Sequence, residues 1–511
     1  MAISNQHVPN QHVPNQHVPN HHLETGTSPT DELREPCGHQ RAHITDSLFH
    51  GGGYATPVSR RIFCDECRLR RWLRVEAALA ACQERLAMIA PGTAAQVARA
   101  CEPGRVDLAA LAPEFRLTGH SLVPLLRGLE AACEDASGEM VHLGATTQDI
   151  QDTAQSLEMR EVLAEVDAGV RTMAEVLAGI AGEHRESLMS GRTHGQPALP
   201  ITFGLKVAGW LDELLRHAER LGQLRPRVLT AQLSGGVGTM AGFGGRGREL
   251  LELFAAELDL GVPAVGWHAA RDRVAEFGTV LAMLTGTLAR IADEIRVLSR
   301  PEVGEVSEGW RYGRVGSSTM PHKRNPERSA QVVLLARLAR SHAALGIESM
   351  VQEHERDSRG LRMEWVAVAD VSHYTLAALD TLNEVLAGLR VDSARMAANA
   401  RAMAESLCTE AVMLALTPSI GRQSAHSLVY ELSQRAQSDG KRLRDCLLAD
   451  ATVTTWLRAA DVDALLDPGR YLGEARELTD LCLDRAREWL AATPPAEPRP
   501  SGTALASGPL S

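Results

Sequence analysis

The most constraining feature of this sequence is the length of its apolar repeats. From Leu157 to Ile180, apolar residues recur at helical spacing without a break, which predicts a helix of about eight turns. Two further repeats run from Phe277 to Leu298 and from about Glu327 to Ser349. Helices of this length with an apolar face have to bury that face against other helices. We therefore expect an all-α fold with a central long-helix bundle, completed by helices of other subunits.

Changes in composition mark the ends of the folded part. The first 22 residues contain three copies of Asn-Gln-His-Val-Pro, and the end of the chain is rich in Pro, Ala, Gly and Ser, so both ends are expected to be disordered. Breaks between the repeats predict three helical domains. The predicted boundaries are 1–47 for the N-terminal extension, 48–153 for an N-terminal helical domain, 154–412 for the central bundle with a long polar loop at 302–326, 413–492 for a C-terminal helical domain, and 493–511 for the tail.

Charge and hydropathy exclude several classes of protein. The formal net charge is -11, the isoelectric point is about 6.0, and basic residues are mixed with acidic ones, so no nucleic-acid surface is expected. No uninterrupted apolar run approaches the roughly 20 residues that a bilayer span needs, and the chain does not begin with a basic segment followed by an apolar one. We expect a cytoplasmic protein without a membrane partner.

The cysteines do not predict a disulfide framework. There are nine, an odd number, and most lie within apolar helical patterns as small buried hydrophobes would. Cys64 and Cys67 form one Cys-x-x-Cys pair, with Cys37 and His39 upstream, but a second tight pair is missing. No metal and no cofactor are therefore expected, and a zinc-dependent interaction module at Cys37 to Cys67 is the alternative.

Three loops between the helices concentrate the polar chemistry, at Val141 to Thr153, Ser190 to Pro200 and Glu302 to Pro326. In the third, the small residues from Gly316 to Ser318 are followed by Lys323 and Asn325. An ammonium and an amide can bind a carboxylate while a hydroxyl faces the neighbouring carbon. Only three of the 53 basic residues are lysines, so a lysine here indicates a need for a compact positive charge.

These loops resemble the signature regions of one enzyme superfamily. Gly316 to Pro326 is similar to Gly-Ser-Ser-x-Met-Pro-x-Lys-x-Asn-Pro, shared by fumarases, aspartases, argininosuccinate lyases, adenylosuccinate lyases and 3-carboxy-cis,cis-muconate cycloisomerases. His142 to Thr153 resembles the first signature region and Gly191 to Gln196 the second. The resemblance covers about Leu48 to Leu490. It implies a three-domain lyase that tetramerises into a multi-helix core, with each active site shared among three chains.

The resemblance also implies roles for individual residues. Ser317 would act as the base, in its alkoxide form, and His194, supported by His142, would protonate the leaving group. The segment from Gly304 to Gly316 would be a mobile lid. The implied substrate-binding residues, for a small dicarboxylate, are Thr146, Thr147, Gln148, Thr193, Gln196, Ser318, Met320, Lys323, Asn325 and Arg356.

Within the superfamily, the segments Arg70 to Leu79 and Gln352 to Trp365 look closest to the branch of cycloisomerases and adenylosuccinate lyases. Bacterial cycloisomerases usually carry tryptophan where His194 stands, which favours an elimination with a protonated leaving group. Adenylosuccinate lyases typically have an arginine before the position of Tyr54, and none is present here. We expect carbon-nitrogen cleavage of a substituted succinate to give fumarate, with nitrosuccinate as the favoured substrate.

Three other interpretations stay open at this point. Two are adenylosuccinate lyase activity and cycloisomerase activity. The third is a catalytically silent structural relative, although such a chain could lose Ser317, His194, Lys323 or Asn325 freely, and all four are intact.

Overall fold

The N-terminal part of the fold is a group of short helices packed on one longer helix. The computed structural model describes residues 43–310, 316 and 318–493, so the predicted N-terminal extension lies almost wholly outside the described residues, as does most of the tail. A separate apolar core, formed by residues 73–157 together with 231–260, holds this part together. Its α-helices are α1 (Pro57–Phe63), α2 (Asp65–Arg85), α3 (Thr93–Ala100), α4 (Leu108–Thr118) and α5 (Val123–Ala132), with 3₁₀ turns at Ile44–Asp46, Gly51–Gly53 and Ala136–Met140.

The centre of the molecule is a bundle of five long helices, which pack on one another through the largest apolar core. The three long helices predicted from the apolar repeats are confirmed as α6, α9 and α10. A shorter helix, α8, packs on α2 instead. The elements of this part are α6 (Thr147–Glu183), α7 (Phe203–Val228), α8 (Gly247–Glu257), α9 (Asp272–Leu298), α10 (Glu327–Glu348) and α11 (Ser358–Ala387), with a 3₁₀ turn at Ala241–Phe243.

The C-terminal part forms a third apolar core from residues 400–466. The last helix leaves this core and packs on α6 and α7 of the bundle. The domain boundaries stay predictions. The helices are α12 (Ser393–Ala402), α13 (Ala404–Leu407), α14 (Thr409–Ile420), α15 (Arg422–Asp439), α16 (Leu443–Ala449), α17 (Ala451–Trp456), α18 (Ala459–Leu465) and α19 (Ala475–Ala492), with a 3₁₀ turn at Pro468–Arg470.

Two small antiparallel pairs of strands interrupt this helical fold. Strands β1 (Leu188–Thr193) and β2 (Gln196–Thr202) form a hairpin between α6 and α7, with Thr193 opposite Gln196. Strands β3 (Val306–Ser307) and β4 (Arg390–Val391) pair across the bundle. The all-α class is confirmed, and the hairpin is an addition that the helical pattern did not predict.

Among the described residues, α9 is the one helix long and apolar enough to cross a membrane by length and composition. Of its apolar window, 67% is buried inside the fold, as for the core helix of a bundle. The described residues also contain no group of three or more His, Cys, Asp or Glu side chains that could hold a metal ion. Cys64 and Cys67 lie at the start of α2, whereas Cys37 and His39 lie outside the described residues.

Candidate active site

The first signature loop leads into the N-terminus of α6, the longest helix of the bundle. Thr146 is the N-cap residue, and its backbone N–H donates to Oδ2 of Asp149 at 3.0 Å. The Thr146 hydroxyl accepts a hydrogen bond from the Arg356 guanidinium. Thr147 begins the helix, whose N-terminus carries a partial positive charge and unpaired N–H groups. Hydroxyls, an arginine and a helix N-terminus together fit a carboxylate. We call this group, with His142, the helix-start site.

His142 is held by a buried carboxylate. Its Nδ1 lies 2.7 Å from Oε1 of Glu76, a residue of α2 that is 2% exposed. The other oxygen of that carboxylate, Oε2, is buried without a hydrogen-bond partner. His142 has a φ of +63°, a left-handed conformation uncommon for a residue with a side chain, and Gln83 donates to the next carbonyl, that of Leu143, at 2.8 Å. The turn is therefore fixed from both sides.

Asp149, in the first turn of α6, joins three segments of the chain to the start of this helix through hydrogen bonds. The carboxylate is fully buried and accepts, besides the Thr146 N–H, the backbone N–H of Ser234 at 3.0 Å and that of Gly235 at 2.9 Å. It also lies 2.8 Å from Nε2 of His268. All the bonds that a carboxylate needs when it leaves water are thus present.

One helical turn further on, a buried arginine joins three helices of the bundle. Arg271, 1% exposed, donates to Asp152 of α6 at 2.8 and 3.0 Å and to Glu364 of α11 at 2.7 Å. Burial raises the pKa of Glu364 despite this partner. Gln148 donates to Asp152 at 3.1 Å and to the His268 carbonyl at 3.1 Å, so its amide nitrogen also holds the fold.

A cavity of about 390 Å³ opens beside the helix-start site. It brings together Thr147, Gln148 and Arg356, as the sequence predicted, and adds His120 and Arg362, which the sequence interpretation missed. Burial and then the charges of Arg362 and Arg356 lower the pKa of His120. The two arginines give this cavity a positive charge, which indicates a site for an anion.

The second signature region is the β1–β2 hairpin. His194 and Gly195 form its two-residue turn with φ values of +51° and +78°, a combination that fits a type I′ turn. Thr193, His194 and Gln196 are all exposed at the tip. Within a single chain, the proposed acid therefore projects into solvent.

The third signature region joins this hairpin. Arg192 donates to both oxygens of Glu305, at 2.7 and 2.9 Å, and Glu305 is fully buried. Asn399 donates to the same carboxylate at 2.9 Å. The hairpin and the segment that leads into the third loop are therefore fixed to one another. We call His194, Thr193 and Gln196 with the loop residues around Lys323 the hairpin-loop site.

Inside the third loop, the described contacts include those of Asn325 and Arg324. Asn325 donates its amide to the Gly316 carbonyl at 3.0 Å and to Glu327 at 3.1 Å, so this predicted substrate ligand also shapes the loop. The Lys323 side chain is exposed, as are Ser318 and Met320. The Arg324 guanidinium lies 5.3 Å from the centre of the Trp310 ring. Ser317, the predicted base, and residues 311–315 of the predicted lid lie outside the described residues.

The two sites lie at opposite ends of α6. This helix has 37 residues, which corresponds to about 55 Å. One chain therefore places the hairpin and the segment leading into the third signature region at one end of α6 and the first signature region at the other end. His142 cannot support His194 of the same chain, so that prediction requires a second subunit.

The chain is similar to known proteins over most of its length. A family model described as Lyase matches residues 55–339, and one described as Adenylosuccinate lyase C-terminus matches residues 406–481. The chain is 39% identical to an N-acetyl-S-(2-succino)cysteine lyase from Enterococcus italicus, over 88% of this chain and 97% of the relative. It is 38% identical to a 3-carboxy-cis,cis-muconate cycloisomerase from Pseudomonas aeruginosa, over 86% and 96%. A solved fumarate lyase structure from Mesorhizobium sp. BNC1 matches with a TM-score of 0.79 and 35% identity, covering 84% of this chain and 98% of that one.

Proposed function

The chain belongs to the aspartase/fumarase superfamily, in the branch of adenylosuccinate lyases and 3-carboxy-cis,cis-muconate cycloisomerases, and we propose that it releases fumarate from a 2-substituted succinate. The observation that carries this proposal is the helix-start site, where Thr146, Thr147 and Arg356 converge at a helix N-terminus that suits a carboxylate. The hairpin-loop site supplies the remaining groups, a histidine and a loop with lysine and amide donors.

In the proposed reaction, the Ser317 alkoxide removes a proton from the carbon beside one carboxylate. The electron pair forms the carbon-carbon double bond, and the bond from the neighbouring carbon to the leaving group breaks. The leaving group departs with that bonding pair and takes a proton from His194. Lys323 and Asn325 stabilise the charge that develops on the carboxylate. The products are fumarate and the protonated leaving group, without any change of oxidation state.

We propose sulfur as the leaving atom, in a thioether of succinate. A relative that the chain matches over 97% of its length is named for a succinyl thioether of N-acetylcysteine. A thiol has a pKa of about 8.5 in its ordinary state, so its thiolate leaves more easily than an amide or amine anion and still gains from an acid. A thiolate therefore gains from a proton supplied by His194 but depends on it less than an amine anion would.

Two other reactions compete with this proposal. Nitrosuccinate, cleaved at its carbon-nitrogen bond, would release nitrite, which needs little protonation and so suits an acid as exposed as His194. Lactone chemistry on a muconate is supported by the similarity to the cycloisomerase from Pseudomonas aeruginosa. His194, a tryptophan in most bacterial cycloisomerases, is the feature of this chain that favours elimination.

The proposal is tested by the ultraviolet absorbance of fumarate after purified protein is mixed with the succinyl thioether of N-acetylcysteine, nitrosuccinate or adenylosuccinate in turn. Carboxymuconate, which would give a lactone and no fumarate, is followed by the loss of its own diene absorbance. We expect the thioether to give the highest kcat/KM. If a folded protein neither forms fumarate nor consumes carboxymuconate, a silent structural relative is the better interpretation. A preference for nitrosuccinate would replace sulfur with nitrogen in the proposal.

Substitution of the base gives the sharpest mechanistic test. Ser317→Ala removes the proton acceptor, so kcat on the preferred substrate should fall by at least about 10³-fold while thermal unfolding stays unchanged. Ser341→Ala, at an exposed serine within α10, is the matched control and should retain activity. Near wild-type turnover by Ser317→Ala would exclude this mechanism.

We also propose a homotetramer with shared active sites. The separation of the two sites by the length of α6 supports it, because the helix-start site of one chain needs His194 and the third loop from other chains. Large exposed apolar side chains on the bundle also support it, and they include Met283, Leu334, Ile347 and Val366.

Two experiments test the tetramer. Sedimentation should give the mass of four chains. Mixing an inactive Thr147→Val variant with an inactive Lys323→Met variant should restore activity after subunit exchange, and a monomer or no recovery would contradict shared sites.

A further inference from the structure

Two cavities adjoin at the helix-start site, and only the first touches its threonines. The first is the 390 Å³ cavity beside Thr147. The second, of about 230 Å³, shares Ser121, Gln151 and Trp365 with it and ends at Trp72 of α2. The two cavities therefore lie side by side and form a recess, and the second is the part farther from the place where we propose a substrate carboxylate binds.

The first cavity contains more positive charge than the succinate half of a substrate needs. Arg356 and Arg362 both line it, and neither forms an ion pair with a carboxylate in the part of the chain that the structure describes. Arg356 already contacts Thr146 at the helix-start site. Arg362 lies one helical turn beyond Ser358, the first residue of α11, and is exposed. In a chain with a net charge of -11, such a cation fits a second anionic group on the ligand.

The second cavity is different in character. Its arginine, Arg68, is neutralised by Glu158 at 3.0 Å, so no free positive charge remains there. Trp72 and Trp365 supply apolar walls that are half-buried. Gln151 donates its amide N–H to the Ser121 hydroxyl at 2.7 Å, and the same amide carries a carbonyl oxygen that can accept a hydrogen bond. Apolar walls beside an amide group suit a small acylated amine.

We propose that the two cavities form the leaving-group subsite, which selects a thiol that carries both a carboxylate and an N-acyl group. Arg362 binds the carboxylate of the leaving group, and Trp72 and Trp365 enclose the acyl group, whose amide N–H donates to Gln151. The inference rests on the proposed elimination. It assigns the substrate class as S-succinyl derivatives of N-acylated amino-acid thiols.

The test uses the full-length wild-type protein and four succinyl thioethers, formed from N-acetylcysteine, cysteine, N-acetylcysteamine and ethanethiol. N-acetylcysteamine lacks the carboxylate, cysteine lacks the acyl group and ethanethiol lacks both. We expect kcat/KM to be highest for the first and to fall roughly ten- to hundredfold when the carboxylate is removed, as for the loss of a charged hydrogen bond. Equal kcat/KM values for all four would overturn the subsite and leave the proposed function standing. No fumarate from any of them would overturn both.

Arg362→Gln tests whether Arg362 is the residue that binds the carboxylate of the leaving group. It should lower kcat/KM for the two carboxylate-bearing thiols roughly tenfold or more and leave N-acetylcysteamine and ethanethiol derivatives unchanged. Arg359→Gln is the matched control, because Arg359 lies on the same helix but lines neither cavity and pairs with Asp357 and Glu353. A uniform loss across all four thioethers would assign Arg362 a structural role and overturn its place in the subsite.

Product inhibition separates binding from turnover. N-acetylcysteine should inhibit wild-type protein, and its inhibition constant should rise in Arg362→Gln and in Trp365→Leu while that of fumarate stays constant. Trp72→Leu gives the same readout from α2 if the Trp365 variant is unstable. Unchanged inhibition by N-acetylcysteine in both the arginine variant and a folded tryptophan variant would overturn the proposal.

Discussion

The helix-start site and the hairpin-loop site lie at opposite ends of α6 and differ in how much of their structure one chain supplies. At the helix-start site, Asp149 and Arg271 are buried and their hydrogen bonds come from several elements of one subunit. At the hairpin-loop site, His194 and Lys323 are exposed and lie on a turn and a loop.

This difference suggests a division of labour. A preorganised binding site has its dipoles fixed before the substrate arrives, whereas groups that must be brought together later can gate the reaction. We infer that the helix-start site recognises the substrate in each subunit and that assembly completes the acid-base chemistry. Four changes test that difference, in order of decreasing expected effect.

Arg271→Met should have the largest effect. It leaves Asp152 and Glu364 buried without a positive partner, so the free energy of unfolding should fall by about 3–5 kcal/mol. Urea unfolding measures the loss. Arg227→Met, which removes an exposed pair with Glu276, is the control and should cost under about 1 kcal/mol. Similar losses in both variants would mean that the helix-start site is not held by this cluster.

The second-largest effect should come from lowering the pH, which acts on His373, a buried histidine of α11. Burial lowers the pKa of His373 to about 4, and its Nδ1 lies 2.8 Å from the Ser59 hydroxyl. Because the unfolded chain takes up this proton at a higher pH, about 6.5, the stability contribution is complete above pH 6.5 and is lost as the pH falls toward about 4. The total is about 3 kcal/mol. The difference in unfolding free energy between wild type and His373→Gln should vary over this window, and a constant difference would contradict a neutral buried histidine.

Glu76→Gln tests whether the helix-start site orients its histidine. The carboxylate accepts from Nδ1 of His142 and so fixes which ring nitrogen carries the proton, which an amide does not do reliably. By analogy with carboxylate partners of metal-bound histidines, kcat/KM should fall roughly ten- to hundredfold. The pH profile should also change shape. Glu66→Gln, exposed on the same helix, is the control, and an unchanged profile in Glu76→Gln would reduce the pair to a structural contact.

Arg324→Gln should have the smallest effect. The contact between Arg324 and Trp310 is an exposed cation-π interaction, worth about 0.5–1 kcal/mol. We expect changes in kcat or KM of about two- to fivefold. A loss of a hundredfold or more would show that the hairpin-loop site is built as tightly as the other end, and the comparison would fail.

The long helices could be predicted from sequence because each repeats one local rule. In α6, α9 and α10, every third or fourth residue is apolar, and no distant residue is needed to see it. The signature loops were equally visible, since Ser317, His194 and Lys323 lie within short motifs. The hairpin was missed because its strands are short and contain Pro197 and Pro200, which weaken a strand pattern.

Other parts of the site could not be predicted, because they depend on distant contacts. Glu76 lies 66 residues before His142, and no local pattern pairs them. His120 and Arg362 become visible only when α11 packs beside the loop between α4 and α5. Nor does a local pattern show that Gln148 and Asn325, two predicted substrate ligands, also use their amides to hold the protein itself. The roles of all these residues await the experiments above.

The length of α6 has a consequence for how such an enzyme can change over evolutionary time. Because the recess near Arg362 and the turn at His194 of one chain are separated by the whole helix, a substitution that alters one does not disturb the packing around the other within that chain. A lineage can therefore exchange the thiol, amine or other group that it releases through changes near Trp365 and inherit the proton chemistry intact. The length of this one helix would therefore let substrate preference change while the type of reaction is kept.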